Sequence, residues 1–262
     1  MKNLIEKIHV NIPFAMLYES CLDIFLKQGL NPEIGFDADS LDTYSIEDYS
    51  GIAKQLHRRG LSITFHAPFM DLSPGSSDSK IWRATQSRFE QIIQLVQIFK
   101  PRTVVCHTGY DAKRYWYVRD LWIERSLEMW RWFGRCLKDA GAVLMLENVY
   151  EHEPDDIEAL LRRLKDQGVG FCLDTGHQAV FGRVPLNTWL ESLGPYLGQL
   201  HLHDNFGEMD EHLAMGKGRI DFHILFKKLV FMRKVPPVIT LEPHREEDFR
   251  PSLEYLEMIW PW

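Results

Sequence analysis

Phe171-Cys-Leu-Asp-Thr-Gly-His177 reads as a buried strand followed by the first turn of a loop. An apolar run ends in Asp174, a glycine follows, and His177 stands three residues on. In parallel α/β proteins ligands bind at the carboxyl ends of strands. A carboxylate beside an imidazole offers oxygen and nitrogen donors suited to zinc, manganese or a similar divalent ion. The same seven residues also fit a capped turn, with Asp174 bonded to backbone amides and His177 exposed. The choice rests on whether other strands end in the same way.

Working outward, short apolar runs alternate with longer amphipathic stretches. The strands expected are 7–13, 33–36, 61–65 ending at His66, 103–106 ending at His107, 143–146 ending at Glu147, the Asp174 strand, 199–202 within the segment 197–202, and 237–241 ending at Glu242. Helical spacing runs over 16–30, stopping at Gly29, and over 45–59, with Ser45 as N-cap and Gly60 as stop. Further helices are expected over 82–99, 120–140, 155–165, 186–193, 222–232 and 249–259. The linker 67–79, with Pro68, Pro74 and Gly75, is long enough for a functional loop. Eight strand–helix units in 262 residues predict a single (β/α)8 TIM barrel over 1–262, with no internal repeat or low-complexity linker.

Composition narrows the function classes. The formal charge of −7 argues against a non-specific nucleic-acid or membrane surface. Cys21, Cys106, Cys136 and Cys172 form no CxxC pair. Cys106 and Cys172 lie in apolar runs, which predicts buried free thiols. The first residues carry no apolar stretch of signal length, and no apolar run approaches the ~20 residues of a membrane span. A cytoplasmic, non-membrane protein is the expectation, with a homo-oligomer allowed.

The strand ends settle the opening question. His66, His107, Glu147, Asp174, His177, His201, Asp210, His212 and Glu242 come from consecutive units and project from one face of a barrel. Five of the chain's 11 histidines are in this set. One divalent ion takes about four to six ligands, so the whole set suits two or three ions sharing Glu147. Closely spaced ions clamp phosphoryl oxygens and generate a hydroxide nucleophile near neutral pH. The subset Glu147, Asp174, His201 and Glu242 suits one ion that polarises a hydroxy-carbonyl sugar while two carboxylates shuttle a proton.

The series His-Ala-Pro (66–68), His-Thr-Gly (107–109), Leu-Glu-Asn (146–148), Asp-Thr-Gly-His (174–177), His-Leu-His-Asp (201–204), Asp-Glu-His-Leu (210–213), Gly-Lys-Gly (216–218) and Leu-Glu-Pro (241–243) resembles the xylose-isomerase-like barrel superfamily. That superfamily includes endonuclease IV, sugar phosphate isomerases and epimerases, and cobamide-remodelling phosphodiesterases. The resemblance covers nearly the whole chain. It implies that all nine residues fall on ligand positions of endonuclease IV's trinuclear zinc site. The mononuclear epimerases match chiefly through Glu147, Asp174, His201 and Glu242, with the two glutamates as acid and base. The acidic stretch Asp37-Ala-Asp-Ser-Leu-Asp42 departs from endonuclease IV, because a loop that probes a DNA groove needs cations or wedges.

The sequence thus predicts a divalent-metal enzyme, with one to three ions per chain: zinc first, manganese or cobalt as alternatives. The expected activity is hydrolysis of a small-molecule phosphodiester, of nucleotide-loop or cobamide type among the options, with Glu147 and Glu242 at the chemistry. The alternative is a single-metal sugar or sugar-phosphate isomerase/epimerase with Glu147 and Glu242 as the acid/base pair. His203 competes with His201 for a ligand position, since residues two apart on a strand share a face. His203, Lys217, Arg219 and Tyr110 are the candidates for substrate contact; Asp204 and Asn205 read as turn residues, and Trp122, Trp130 and Trp132 as packing.

Overall fold

A computed structural model describes residues 2–232 and 235–262. Eight parallel strands close a barrel in sequence order: β1 (His9–Pro13), β2 (Asn31–Gly35), β3 (Thr64–His66), β4 (Thr103–His107), β5 (Val143–Glu147), β6 (Gly170–Asp174), β7 (Leu197–Leu202) and β8 (Val238–Leu241). The last pairs with β1 through His9–Thr240 and Val10–Leu241. Among the described residues, no helix is long and apolar enough to cross a membrane.

Alternation along the strands separates two environments. Phe65, Val104, Leu144, Leu146, Phe171, Leu173, Leu200, Leu202, Ile239 and Leu241 point outward and join the main core under the helices. The inward positions are polar on most strands: Thr64 and His66, Thr103 and His107, Gln199 and His201, Thr240 and Glu242, all nearly free of solvent apart from His107. A separate apolar cluster, Val105, Met145 and Cys172, fills the interior two residues below His107, Glu147 and Asp174. Registers His107–Glu147 and Asp174–His201 place the ends of neighbouring strands side by side. Fold and site are therefore one pattern: each strand contributes its last inward residue to the same mouth.

Local chemistry explains where the elements depart from expectation. The strand β2 begins at Asn31, two residues before the apolar run. The Asn31 amide donates to Ile8 O at 3.0 Å, and its oxygen accepts from Ser62 N at 2.8 Å, so a dipeptide that reads as a turn is tied between its neighbours. The acidic stretch after β2 is a short helix, Ala38–Thr43, rather than a loop. Asp37 accepts from Ser40 N at 2.7 Å and Ser40 Oγ receives Asp37 N, a capping box. Asp42 is engaged by both terminal nitrogens of Arg88. Ser45 caps Ile46–Arg58 as expected, reciprocally with Asp48. The aromatic loop after β4 folds as Ala112–Tyr115 followed by a 3-10 turn, Trp116–Val118.

Candidate metal centre

The opening motif joins the capped turn of one reading to a buried histidine. Asp174 is the N-cap of Thr175–Phe181 and accepts from His177 N at 2.6 Å. That turn buries His177 instead of exposing it. The His177 ring lies 3.2 Å from Glu147 through Nδ1 and 3.2 Å from Asp210 through Nε2. Asn148 locks β5 to β6: its amide donates to Asp174 O and its oxygen accepts from Asp174 N, both at 3.0 Å.

Glu147, 1% exposed, is the shared member. Its Oε2 lies 3.2 Å from His66 and 3.7 Å from His107, while Oε1 lies 3.2 Å from His177 and 3.5 Å from His201. His201 Nδ1 also faces Glu242 at 3.0 Å and Asp174 at 4.0 Å. Donor atoms approach one another within 4.8 Å in the overlapping groups His66–His107–Glu147, Glu147–Asp174–His201, Glu33–His201–Glu242 and His177–His203–Asp210–His212. All nine residues read from sequence as candidate ligands thus meet in one space. His212 holds its place with a φ of 49°, uncommon outside glycine. Strain of this kind costs on the order of 1–3 kcal/mol and persists where surrounding structure enforces it.

The electrostatics are those of a cation-seeking pocket. Burial alone would neutralise Glu147, but His201, His107 and His177 hold its carboxyl well below the usual range. Burial opposes the charge of Asp174 as well, yet His177 and His203 bring it down to about 2. His177 is pushed up despite its burial by Asp174, Asp210 and Glu147. His107 is the exception, drawn down to about 3 by burial that Glu147 only partly offsets. Among the described residues, His201 Nδ1, His203 Nδ1 and Asp210 Oδ1 are buried without a hydrogen-bond partner. Eleven buried side-chain polar atoms of the described residues lack a partner, and these three are the ones that belong to the candidate ligand groups. The mixed nitrogen and oxygen set fits zinc or manganese.

Residues 32–259 match the family described as the xylose isomerase-like TIM barrel. The chain belongs to that family. An uncharacterized protein, MJ1311 of Methanocaldococcus jannaschii, is 26% identical over 214 residues, 77% of this chain and 72% of its own length. A probable endonuclease 4 of Mycobacterium leprae is 25% identical over 185 residues, 66% of this chain and 70% of that one. Among solved structures, a Thermus thermophilus protein, TTHB071, soaked with ZnCl2, superposes with a TM-score of 0.80 at 24% identity, covering 97% of this chain and 98% of that one. A D-tagatose 3-epimerase-like protein gives a TM-score of 0.78 at 23% identity, covering 96% and 98%. This xylose isomerase-like barrel therefore stands among relatives that carry both endonuclease and epimerase names.

The substrate candidates are placed differently from one another. His203 faces the site with His201: its Nε2 lies 3.1 Å from both Asp174 oxygens, and its ring stacks on His212 at 3.6 Å. Lys217 and Arg219 are exposed on a loop organised by Asp204, which accepts from Gly216 N, Gly218 N, Asn205 N and Ile220 N. Asp204 is thus a turn organiser, as read from the sequence. Tyr110 is 3% exposed and packs on Trp122 at 4.8 Å.

Two residues near the ligands escaped the sequence reading. Glu33 is fully buried with its carboxylate 2.9 Å from His201 Nε2. Its signal was in the pattern: it sits two residues before Gly35, the partner of His66, and so shares the inward face. Phe69 stacks on His107 at 4.2 Å and remains 44% exposed, an aromatic cover over the first ligands. It lies in the linker after β3, where no periodicity marks it.

Behind the centre, Glu151 ties the loops after β4 and β5 together by accepting from Thr108 Oγ1 and, at 2.6 Å, from Val149 N. Burial pushes its carboxyl up to about 7, beyond what these hydrogen bonds restore. A raised carboxyl favours the folded state fully below the unfolded value near 4.5 and loses that contribution as pH rises through 7. The shift corresponds to about 3 kcal/mol. Urea unfolding at pH 5 and pH 8 is expected to show Glu151→Gln gaining on the wild type by roughly that amount at the higher pH. Parallel pH dependences in the two proteins would contradict it.

Proposed function

We propose that this protein is a divalent-metal-dependent hydrolase of small-molecule phosphodiesters, with a multinuclear centre at the carboxyl-terminal mouth of the barrel. The observation that carries the reading is Glu147: one carboxylate oxygen faces His66 and His107, the other His177 and His201. That two-sided environment suits a bridge between ions, and His66, His107, His177, Asp210 and His212 supply ligands beyond the four a single-ion site takes. His66 and His107 with Glu147 would hold one ion; Glu147, Asp174, His201 and Glu242 a second; His177, Asp210 and His212, beside His203, a third. Bound ions in such an array clamp phosphoryl oxygens and activate water.

The chain's own residues supply the rest. Phe69 shields His107 and offers an apolar surface to the organic part of a substrate. Lys217 and Arg219 give the loop after β7 a positive edge for the phosphate. A DNA substrate is disfavoured, because the segment after β2 is an acidic capped helix and not a cationic probe. Zinc is the first candidate ion, manganese or cobalt the next.

An isomerase or epimerase reading has its own support. Glu147 and Glu242 both approach His201 Nδ1, and several similar folds carry epimerase titles, among them D-psicose 3-epimerase and L-ribulose 3-epimerase. Metal analysis of protein purified without added metal separates the two. About three ions per chain and turnover of bis(p-nitrophenyl) phosphate are expected for the hydrolase. About one ion, with His66 and His107 unmetallated and ketoses interconverted, would replace it with the epimerase.

A further inference from the structure

We infer that Glu33 is a positioning residue that fixes the ring of His201 so that Nδ1 is presented to a cation shared with Glu147, Asp174 and Glu242. The inference rests on the metal-centre reading and not on the reaction. An ionised carboxylate only accepts hydrogen bonds, and the surroundings of Glu33 are donors on both oxygens. Its Oε1 lies 2.9 Å from His201 Nε2 and 3.4 Å from the Asn11 amide. Its Oε2 receives Thr64 Oγ1 at 3.0 Å, Thr240 Oγ1 at 3.1 Å and the Gln199 amide at 2.5 Å. The opposite orientation of Gln199 would set its oxygen against the Glu33 carboxylate at that distance, so the amide nitrogen faces Glu33 and the oxygen faces the Thr103 hydroxyl at 2.7 Å.

Facing this acceptor, the neutral His201 ring carries its proton on Nε2. The lone pair is then on Nδ1, the atom that looks toward Glu242 Oε1 at 3.0 Å, Glu147 Oε1 at 3.5 Å and Asp174 Oδ2 at 4.0 Å. A lone pair opposed to three carboxylates is repulsive unless a metal ion or a second ring proton lies among them, and Nδ1 has no hydrogen-bond partner among the described residues. Asn11 extends the same control to a second ligand, its amide lying 3.4 Å from both Glu33 and Glu242. A carboxylate behind a histidine ligand orients the ring and raises its basicity, and its loss typically costs about 10–100-fold in metal affinity.

The test uses zinc-loaded, 15N-histidine-labelled full-length protein. Long-range 1H–15N correlation, with His201→Gln identifying the signals, is expected to place zinc on His201 Nδ1 and a downfield, slowly exchanging proton on Nε2. Zinc on Nε2 would overturn the proposal in the wild type alone, whether or not any variant folds. Competition against a chromophoric chelator is expected to show one class of site in Glu33→Ala weakened about 10–100-fold, with the Nε2 proton signal lost and the circular dichroism unchanged. Glu33→Gln, which keeps an acceptor oxygen, is expected to bind more tightly than Glu33→Ala. A folded Glu33→Ala with wild-type affinity for every ion would refute the role. None of these readouts requires turnover, so they survive failure of the hydrolase reading, whereas wild-type protein that takes up no zinc would remove the metal-centre reading itself.

Discussion

Glu147→Gln is expected to lose phosphodiester turnover by about three powers of ten, about 4 kcal/mol of transition-state stabilisation. The residue is 1% exposed and flanked by four imidazoles, so the substitution alters no surface and removes a single charge. Two of the candidate donor groups contain it, His66–His107–Glu147 and Glu147–Asp174–His201. A neutral amide presents one acceptor oxygen where the carboxylate presents two and turns a donor toward one pair of histidines. Metal content should therefore fall from about three ions to about one, the His177–Asp210–His212 group being the survivor. Elemental analysis and kinetics on the same preparation read both quantities. Full metal content with turnover within tenfold of wild type would sink the bridging role; full metal content with turnover abolished would move Glu147 from ligand to proton carrier.

Gly176→Ala is expected to be the most damaging substitution among the small residues of the site. A Cβ at this position would stand 1.9 Å from His203 Cε1 and 2.4 Å from Nδ1. The imidazole cannot give way freely. It is held by Asp174 on one side and stacks on His212, which stacks in turn on His244 at 3.5 Å. The backbone carbonyl of Gly176 also accepts from the Asn205 amide at 3.0 Å, which limits retreat of the turn. Overpacking of this sort typically costs about 1–3 kcal/mol. The extra expectation is chemical: displacing His203 pulls Asp174 from its ligand position, so zinc affinity should drop in a variant that still folds. A melting temperature and a chelator titration equal to those of wild type would show that the turn can absorb the methyl group.

Much of this was legible along the chain because barrel chemistry is local at each strand end. His66, His107, Glu147, Asp174 and Glu242 each terminate an apolar run, and that position alone dictates which face and which end of the barrel they occupy. Glu33 opened the expected strand 33–36 instead of ending one, so strand-end position did not mark it; the strand in fact begins at Asn31, whose side chain is bonded to Ile8 and Ser62. Phe69 was obscured because a thirteen-residue linker has no period to read. The aromatic run around Tyr110 drew attention through composition, yet the packing of Tyr110 on Trp122 is a contact between a loop and a helix that no local pattern encodes.

Residue type and order were enough for the barrel, the closing of eight units, and the set of residues that meet at its mouth, since alternation and strand-end position are properties of the chain read one element at a time. Which of those residues neighbour one another was decided in three dimensions. Glu147 became the common member because β4, β6 and β7 bring histidines and an aspartate to both of its oxygens. His201 and His203, equivalent by spacing, separated because one meets Glu33 and Glu242 while the other meets Asp174 and Asp210. And the Asp174–His177 turn both caps a helix and brings its histidine inward to Glu147.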